Sequence, residues 1–85
     1  MAPRTLILHM RPGCHLCEDL RAALDEILPE LDASVAEVDI TSDDALLARY
    51  RHHIPVLTLD GREIVRGRVE DEGALARLLA SALRA

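Results

Sequence analysis

The sequence predicts an α/β fold, a mixed four-stranded sheet with helices on both faces, in one domain spanning residues 1–85. Three observations carry this expectation. Two short apolar runs, "TLILHM" and "SVAEVDI", flank a segment whose apolar residues recur at helical spacing. Two further strand-like runs, "IPVLTL" and "REIVRGR", are joined by "DG". The chain then ends in a second long pattern of helical spacing.

The elements follow in order. "TLILHM" (5–10), bounded by Pro3 and "RPG", is too short for an independent helix and nearly continuous in apolar character, as suits a central strand covered on both faces. From Cys14 the period changes. Leu16, Leu20, Ala23, Leu24, Ile27, Leu28 and Leu31 fall at three- and four-residue steps, with Glu18, Asp19, Arg21, Asp25 and Glu26 on the other face. That pattern is an amphipathic helix ending near Pro29. "SVAEVDI" (34–40) is rich in β-branched residues and reads as the second strand. In "TSDDALLARYRHH" (41–53), Thr41 or Ser42 is placed to cap a helix, with acidic residues in its first turn and Arg49 and Arg51 near its end. Tyr50 lies at helical spacing from Leu46 and Leu47 and is expected in or beside the core. "IPVLTL" (54–59) is the third strand. Gly61 tolerates the positive φ of a tight turn into "REIVRGR" (62–68), whose arginines guard a sheet edge. In "DEGALARLLASALR", Leu75, Leu78, Leu79 and Leu83 are expected to face inward. The strand–helix–strand unit requires a right-handed parallel crossover, and the hairpin adds antiparallel strands.

Composition narrows the function. The chain has no Phe or Trp, and Tyr50 is its one aromatic residue, so there is no stacking platform for bases. A net charge of −5 further argues against nucleic acid and favours solubility. All ten basic residues are arginine, which says nothing about activity. "MAPRTLILHM" lacks the apolar run of a secretion signal, and nothing later resembles a membrane span, so a cytoplasmic location is expected. In that reducing compartment Cys14 and Cys17, the only cysteines, are more naturally catalytic or metal-binding than a structural staple.

Three readings of "CHLC" stand side by side: a redox dithiol, part of a metal site, or two buried apolar residues. A thiol–disulfide exchanger needs one exposed thiol that ionises near neutral pH and a second that resolves the mixed disulfide. Cys14 lies where "RPG" enters the helix, so helix amides and the dipole favour its thiolate. Cys17, one turn on, shares its face and is expected to be the more buried. Cys14 is then the nucleophile and Cys17 the resolver. Structural zinc wants four ligands, to be found among Cys14, Cys17, His9, His15, His52 and His53.

Four landmarks, "CHLC" after the first strand, "VDI" closing the second, "IPVL" at the third and "DG" before a glycine-containing fourth, make the chain resemble a thioredoxin-fold protein of the glutaredoxin-like kind. The resemblance covers nearly the whole chain. It implies sheet order 2-1-3-4, a cis Ile54–Pro55 bond beside the dithiol, and thiol–disulfide oxidoreductase activity with no bound cofactor. The implied partners are glutathione or disulfide-containing proteins, with glutathione or a reductase of the thioredoxin system as reductant, and a monomeric state. An iron–sulfur cluster shared between subunits is the alternative it also implies, and a non-catalytic binding domain is another. His15 and Leu16 stand where the family usually has Pro-Tyr, and the family's glycine pair is reduced to Gly67, with Glu70 or Asp71 nearby.

The expected site residues follow from both lines of reading. By resemblance, Arg11 meets a glutathione carboxylate; otherwise it is a solvated charge. His15 either lowers the Cys14 pKa or faces solvent, and the second reading is preferred because an exposed histidine is mostly neutral at pH 7. Arg51, with His52 and His53, faces the same groove. Ile54 offers its backbone to an extended substrate, and Pro55 shapes that groove. Gly67 marks a bulge or a close approach of substrate backbone, the bulge being preferred. Glu70 and Asp71 are read as helix caps.

Overall fold

The computed structural model describes residues 4–84; Pro3, read as the boundary before the first strand, lies outside them. The elements are β1 (Arg4–Met10), α1 (His15–Ile27), β2 (Ala33–Asp39), α2 (Asp44–Tyr50), β3 (Val56–Leu59), β4 (Arg62–Arg66) and α3 (Glu72–Arg84). The sheet order is β2-β1-β3-β4, with β1 parallel to β2 and antiparallel to β3, and β3 antiparallel to β4. This is the mixed α/β sheet the element order called for.

Alternation along the central strands divides the interior in two. Leu6, Leu8, Leu57 and Leu59 point to one face, where Leu20, Ala23, Leu24 and Leu28 from α1 and its extension, and Leu75 and Leu79 from α3, cover them. On the other face Val56 meets Ile40 and Tyr50, with Leu46, Leu47 and Ile54 packed against them. The second core is much the smaller, and it lies under α2 alone.

The differences from the sequence expectations have local causes. α1 ends at Ile27 and tightens into a 3-10 turn, Leu28–Leu31, because Pro29 cannot continue the α-helical ladder. Ile40 leaves β2 for a second 3-10 turn, Ile40–Ser42, capped by Asp39, whose side chain accepts from the Thr41 N–H at 2.9 Å and the Thr41 hydroxyl at 2.7 Å. These bonds hold the Asp39 carboxyl below its ordinary pKa. Neither Thr41 nor Ser42 caps α2, because both are committed to that turn. Asp43 is the cap, accepting from the amides of Ala45 at 2.7 Å and Leu46 at 3.2 Å. α2 stops at Tyr50, short of residue 53, and β3 starts only at Val56, after the Ile54–Pro55 bond, which is cis.

At the hairpin Asp60 (φ +52°) and Gly61 (φ +80°) both take positive φ, the geometry of the tight primed turns. The expected bulge at Gly67 is elsewhere. Leu57 pairs with Val65 and Thr58 with Glu63, so Ile64 is the extra residue. Gly67 (φ +75°) instead follows the end of β4. Leu78 also departs from expectation, being 46% exposed while Leu75 and Leu79 are buried. A 13-residue helix laid on one sheet face has room for a narrow apolar stripe only.

Leu24 and Leu78 therefore test the core assignment. Leu24 is fully buried, so Leu24→Ala is expected to cost about 2–5 kcal/mol in urea denaturation. Leu78→Ala should change stability by no more than about 0.5 kcal/mol. Equal losses at the two positions would mean that α3 packs differently.

Candidate functional site

The site is built where β1 gives way to α1. Gly13 takes φ +80°, which turns the chain so that Cys14 arrives in extended geometry (φ −88°, ψ 106°) as the N-cap of α1. Its sulfur takes the part usually played by a cap oxygen, accepting from the Cys17 N–H at 3.1 Å. The Glu18 N–H donates to the Cys14 carbonyl at 3.1 Å, closing the first turn of the helix. Cys14 is half-buried; Cys17 is 3% exposed. Their Cα atoms are 5.2 Å apart and the two are joined as a disulfide. One sulfur is thus reachable and the other shielded, an arrangement that fits exchange at an outer atom and resolution from an inner one.

A cleft of about 440 Å³ opens against both cysteines, between the start of α1 and the ends of β1 and β2. Arg21 spans it, donating to Asp25 at 3.0 Å and to Glu37 of β2 at 3.1 Å. Arg11 borders this cleft and also a second groove, of about 440 Å³, lined by Thr41, Leu47, Arg51 and His52. The structure thereby brings Arg11 and Arg51 together. Neither has an ion-pair partner among the described residues.

Other predicted residues are distributed around this centre. His15 opens α1 with its side chain 92% exposed, its Nδ1 3.6 Å from a Glu18 carboxylate oxygen. Pro55 is buried, and its carbonyl accepts from the Gly67 N–H at 2.8 Å, so these two distant residues are tied directly. Ile54 is half-buried and packs on the smaller core. Pro55 and Gly67 border neither cleft described above. Asp71 caps α3, its carboxylate accepting from the Ala74 N–H at 3.2 Å, while Glu70 is exposed. Among the described residues, no group of three or more His, Cys, Asp or Glu side chains could hold a metal ion, and no helix is long and apolar enough to cross a membrane.

Three features escaped the sequence reading. The Arg21–Asp25 pair was legible from its four-residue spacing, but Arg21–Glu37 joins a helix to a strand and needs the fold. Asp43 was legible as one of several adjacent capping candidates. The sequence offers His9 only as a metal ligand, whereas its ring stacks on Tyr50 with centroids 4.6 Å apart.

Residues 5–80 match the family model described as glutaredoxin-like domain (DUF836). The chain belongs to this glutaredoxin-like family. Among solved structures, it is similar to a structural-genomics target protein from X. campestris, with 32% identity and a TM-score of 0.72 over 89% of this chain and 96% of that one. A protein from Nitrosomonas europaea gives 24% identity and 0.71 over 91% and 92%, and shows likeness of fold. A mutant thioredoxin from Halobacterium salinarum gives 28% identity and 0.63 over 91% and 72%. No curated protein sequence gives a match. The glutaredoxin-like chain therefore has a thioredoxin-like fold carrying a cysteine pair at disulfide distance, consistent with thiol–disulfide chemistry.

The exposed position of His15 leads to an expectation about Cys14. The nearest donor to the Cys14 sulfur is the Cys17 amide, and the His15 ring turns towards Glu18 and solvent. His15→Ala should leave the pH midpoint of Cys14 alkylation in the reduced protein within a few tenths of a unit. A clear upward displacement would give His15 an electrostatic part in activating the thiol.

Proposed function

We propose that this glutaredoxin-like protein is a thiol–disulfide oxidoreductase that reduces disulfides or glutathione mixed disulfides through Cys14 and Cys17. The observation that carries the reading is the Cys14 sulfur at the N-cap of α1, accepting the Cys17 N–H, with a shielded second sulfur in bonding reach. A sulfur held against helix amides is favoured as the thiolate.

In the reductive direction the Cys14 thiolate attacks one sulfur of a substrate disulfide. The Cys14–substrate bond forms, the substrate S–S bond breaks, and one substrate thiolate leaves and takes a proton from water. Cys17, having given its proton to solvent, then attacks the Cys14 sulfur. The second substrate thiol departs, and the Cys14–Cys17 disulfide holds the two oxidising equivalents. Two molecules of a thiol reductant such as glutathione restore the dithiol and leave as their own disulfide. A reductase of the thioredoxin system would supply the same two electrons.

Glutathione use is supported by Arg11 and Arg51, which flank one groove that meets the dithiol cleft at Arg11 and suit a carboxylate of that tripeptide. Ile54, preceding the cis Pro55, is suited to pair its backbone with the extended substrate, and Gly67 fastens that turn through the Pro55 carbonyl. The protein would act as a monomer of one domain in the cytoplasm, whose poise keeps the dithiol reduced between turnovers.

Equilibration in glutathione redox buffers, read by mass spectrometry after acid quenching, tests the reading. A reversible two-electron transition between Cys14 and Cys17 is expected, at about −180 to −270 mV. Failure to form the disulfide at any poise would sink it. Cys14→Ser should abolish turnover, and Cys17→Ser should accumulate a mixed disulfide at Cys14. Accumulation at Cys17 in the reciprocal variant would reverse their roles. Arg11→Gln with Arg51→Gln should raise KM for a glutathionylated peptide about tenfold or more, since a hydrogen bond to a charged group contributes about 1.5–3 kcal/mol.

A further inference from the structure

His9 lies in the centre of the sheet and takes no part in the dithiol chemistry. It occupies the α2 face of β1, opposite Val56 in the register, and Val56 directly follows the cis Pro55. Its Nε2 is 3.3 Å from the Thr58 hydroxyl, and its Nδ1 is buried without a hydrogen-bond partner among the described residues. The ring stacks on Tyr50, tilted by 33°. A phenylalanine could make the same stack without burying an unpaired nitrogen, so packing alone does not account for an imidazole here.

Tyr50 connects this ring to the site. It ends α2, and its carbonyl accepts from the His53 N–H at 2.8 Å, opening the turn that leads through Ile54 to Pro55. Ile54 rests on the small core of Ile40, Tyr50 and Val56. The footing of the turn is therefore slight, and the His9–Tyr50 stack is a sizeable part of it.

We propose that His9 is a positioning residue for the Ile54–Pro55 turn: the neutral imidazole steadies the turn through Tyr50, and protonation of the ring releases it. The role in substrate binding rests on the function proposed above, whereas the coupling between ring and turn does not.

The groups around the ring give the direction of the effect. α2 contributes the Tyr50 phenol and the Arg49 guanidinium, which lies over the Tyr50 ring at 5.4 Å from its centroid. β3 contributes the Thr58 hydroxyl and the apolar Val56. From β4 the Glu63–Arg66 pair acts on this neighbourhood, Glu63 feeling Arg49 and His53, and Arg66 feeling Tyr50. Burial first, and then the Arg49 charge, set the His9 pKa below its ordinary 6.5. A ring freed from the stack regains the ordinary value and binds the proton more readily than the stacked ring. The steadying effect is thus full above about pH 6.5 and is lost as pH falls through the lowered value.

Amide hydrogen exchange on the oxidised protein tests this, comparing protection factors for residues 51–54 and Val56 with those of Leu6 and Leu8 at about pH 7.5 and about pH 5. Wild type should lose several-fold protection in the turn relative to β1 on acidification. His9→Phe, which keeps the stack and cannot take the proton, should lose none. Arg49→Gln, which leaves the ring and removes the facing charge, should lose less than wild type. The other three histidines remain in both variants, so any loss they cause survives there. Acid loss in His9→Phe or Arg49→Gln equal to that of wild type, or no loss in wild type, overturns the proposal. Should His9→Phe fail to fold, the Arg49→Gln comparison decides alone. Absence of Cys14–Cys17 cycling in glutathione buffers would defeat the enzymatic reading and leave the exchange result standing.

Discussion

The Cys14 sulfur has two jobs, and the site is arranged around their coincidence. It caps α1 by accepting the Cys17 N–H, and it is bonded to the Cys17 sulfur. A cap must stand at the boundary of a helix, outside its regular geometry and facing the free amides of the first turn. Those requirements also favour an ionised thiol. The position depends on β1 ending at Met10 and on Gly13 reversing the chain at positive φ, so that the helix begins one residue after Cys14.

The unequal cores suit the unequal demands placed on the two sides. α1 must hold Cys17 shielded, and it packs into the larger cluster with α3 over Leu6, Leu8, Leu57 and Leu59. α2 supports the turn that leads into Pro55, and its cluster has three buried members. Local opening free energies follow the amount of buried apolar contact. The dithiol therefore belongs to the firm part of the molecule and the Ile54–Pro55 turn to the softer part.

This division also explains what the sequence disclosed. Element order, the two central strands, the hairpin and the cysteine pair rest on short-range signals: periodicity in α1, β-branched runs, "DG" and a two-residue spacer. Those signals survive folding because no tertiary contact competes with them. Thr41, Ser42 and Asp43 were all chemically able to cap α2, and the choice fell to Asp43 only because Asp39 had already drawn Thr41 into a 3-10 turn. Leu78 has the spacing of a core residue, yet the width of the sheet decides how much of the α3 stripe is covered. The link from Glu37 to Arg21 and the stack of His9 on Tyr50 join separate elements, and no local pattern announces them.

The groove that meets the dithiol cleft at Arg11 runs against the charge of the chain as a whole. The protein carries a net −5, yet the nearby carboxylates are largely committed. Asp39 accepts from Thr41, Asp43 caps α2, and Asp25 and Glu37 share Arg21. Arg11 and Arg51, which border the same groove, are in no ion pair among the described residues, although the Arg11 charge acts on Asp39. Charges within about a Debye length of 8–10 Å are felt before distant ones are. An anion entering that groove thus meets two guanidinium groups outside any ion pair, whatever the net charge of the chain. Local cation placement, and not overall charge, decides what such a groove can attract.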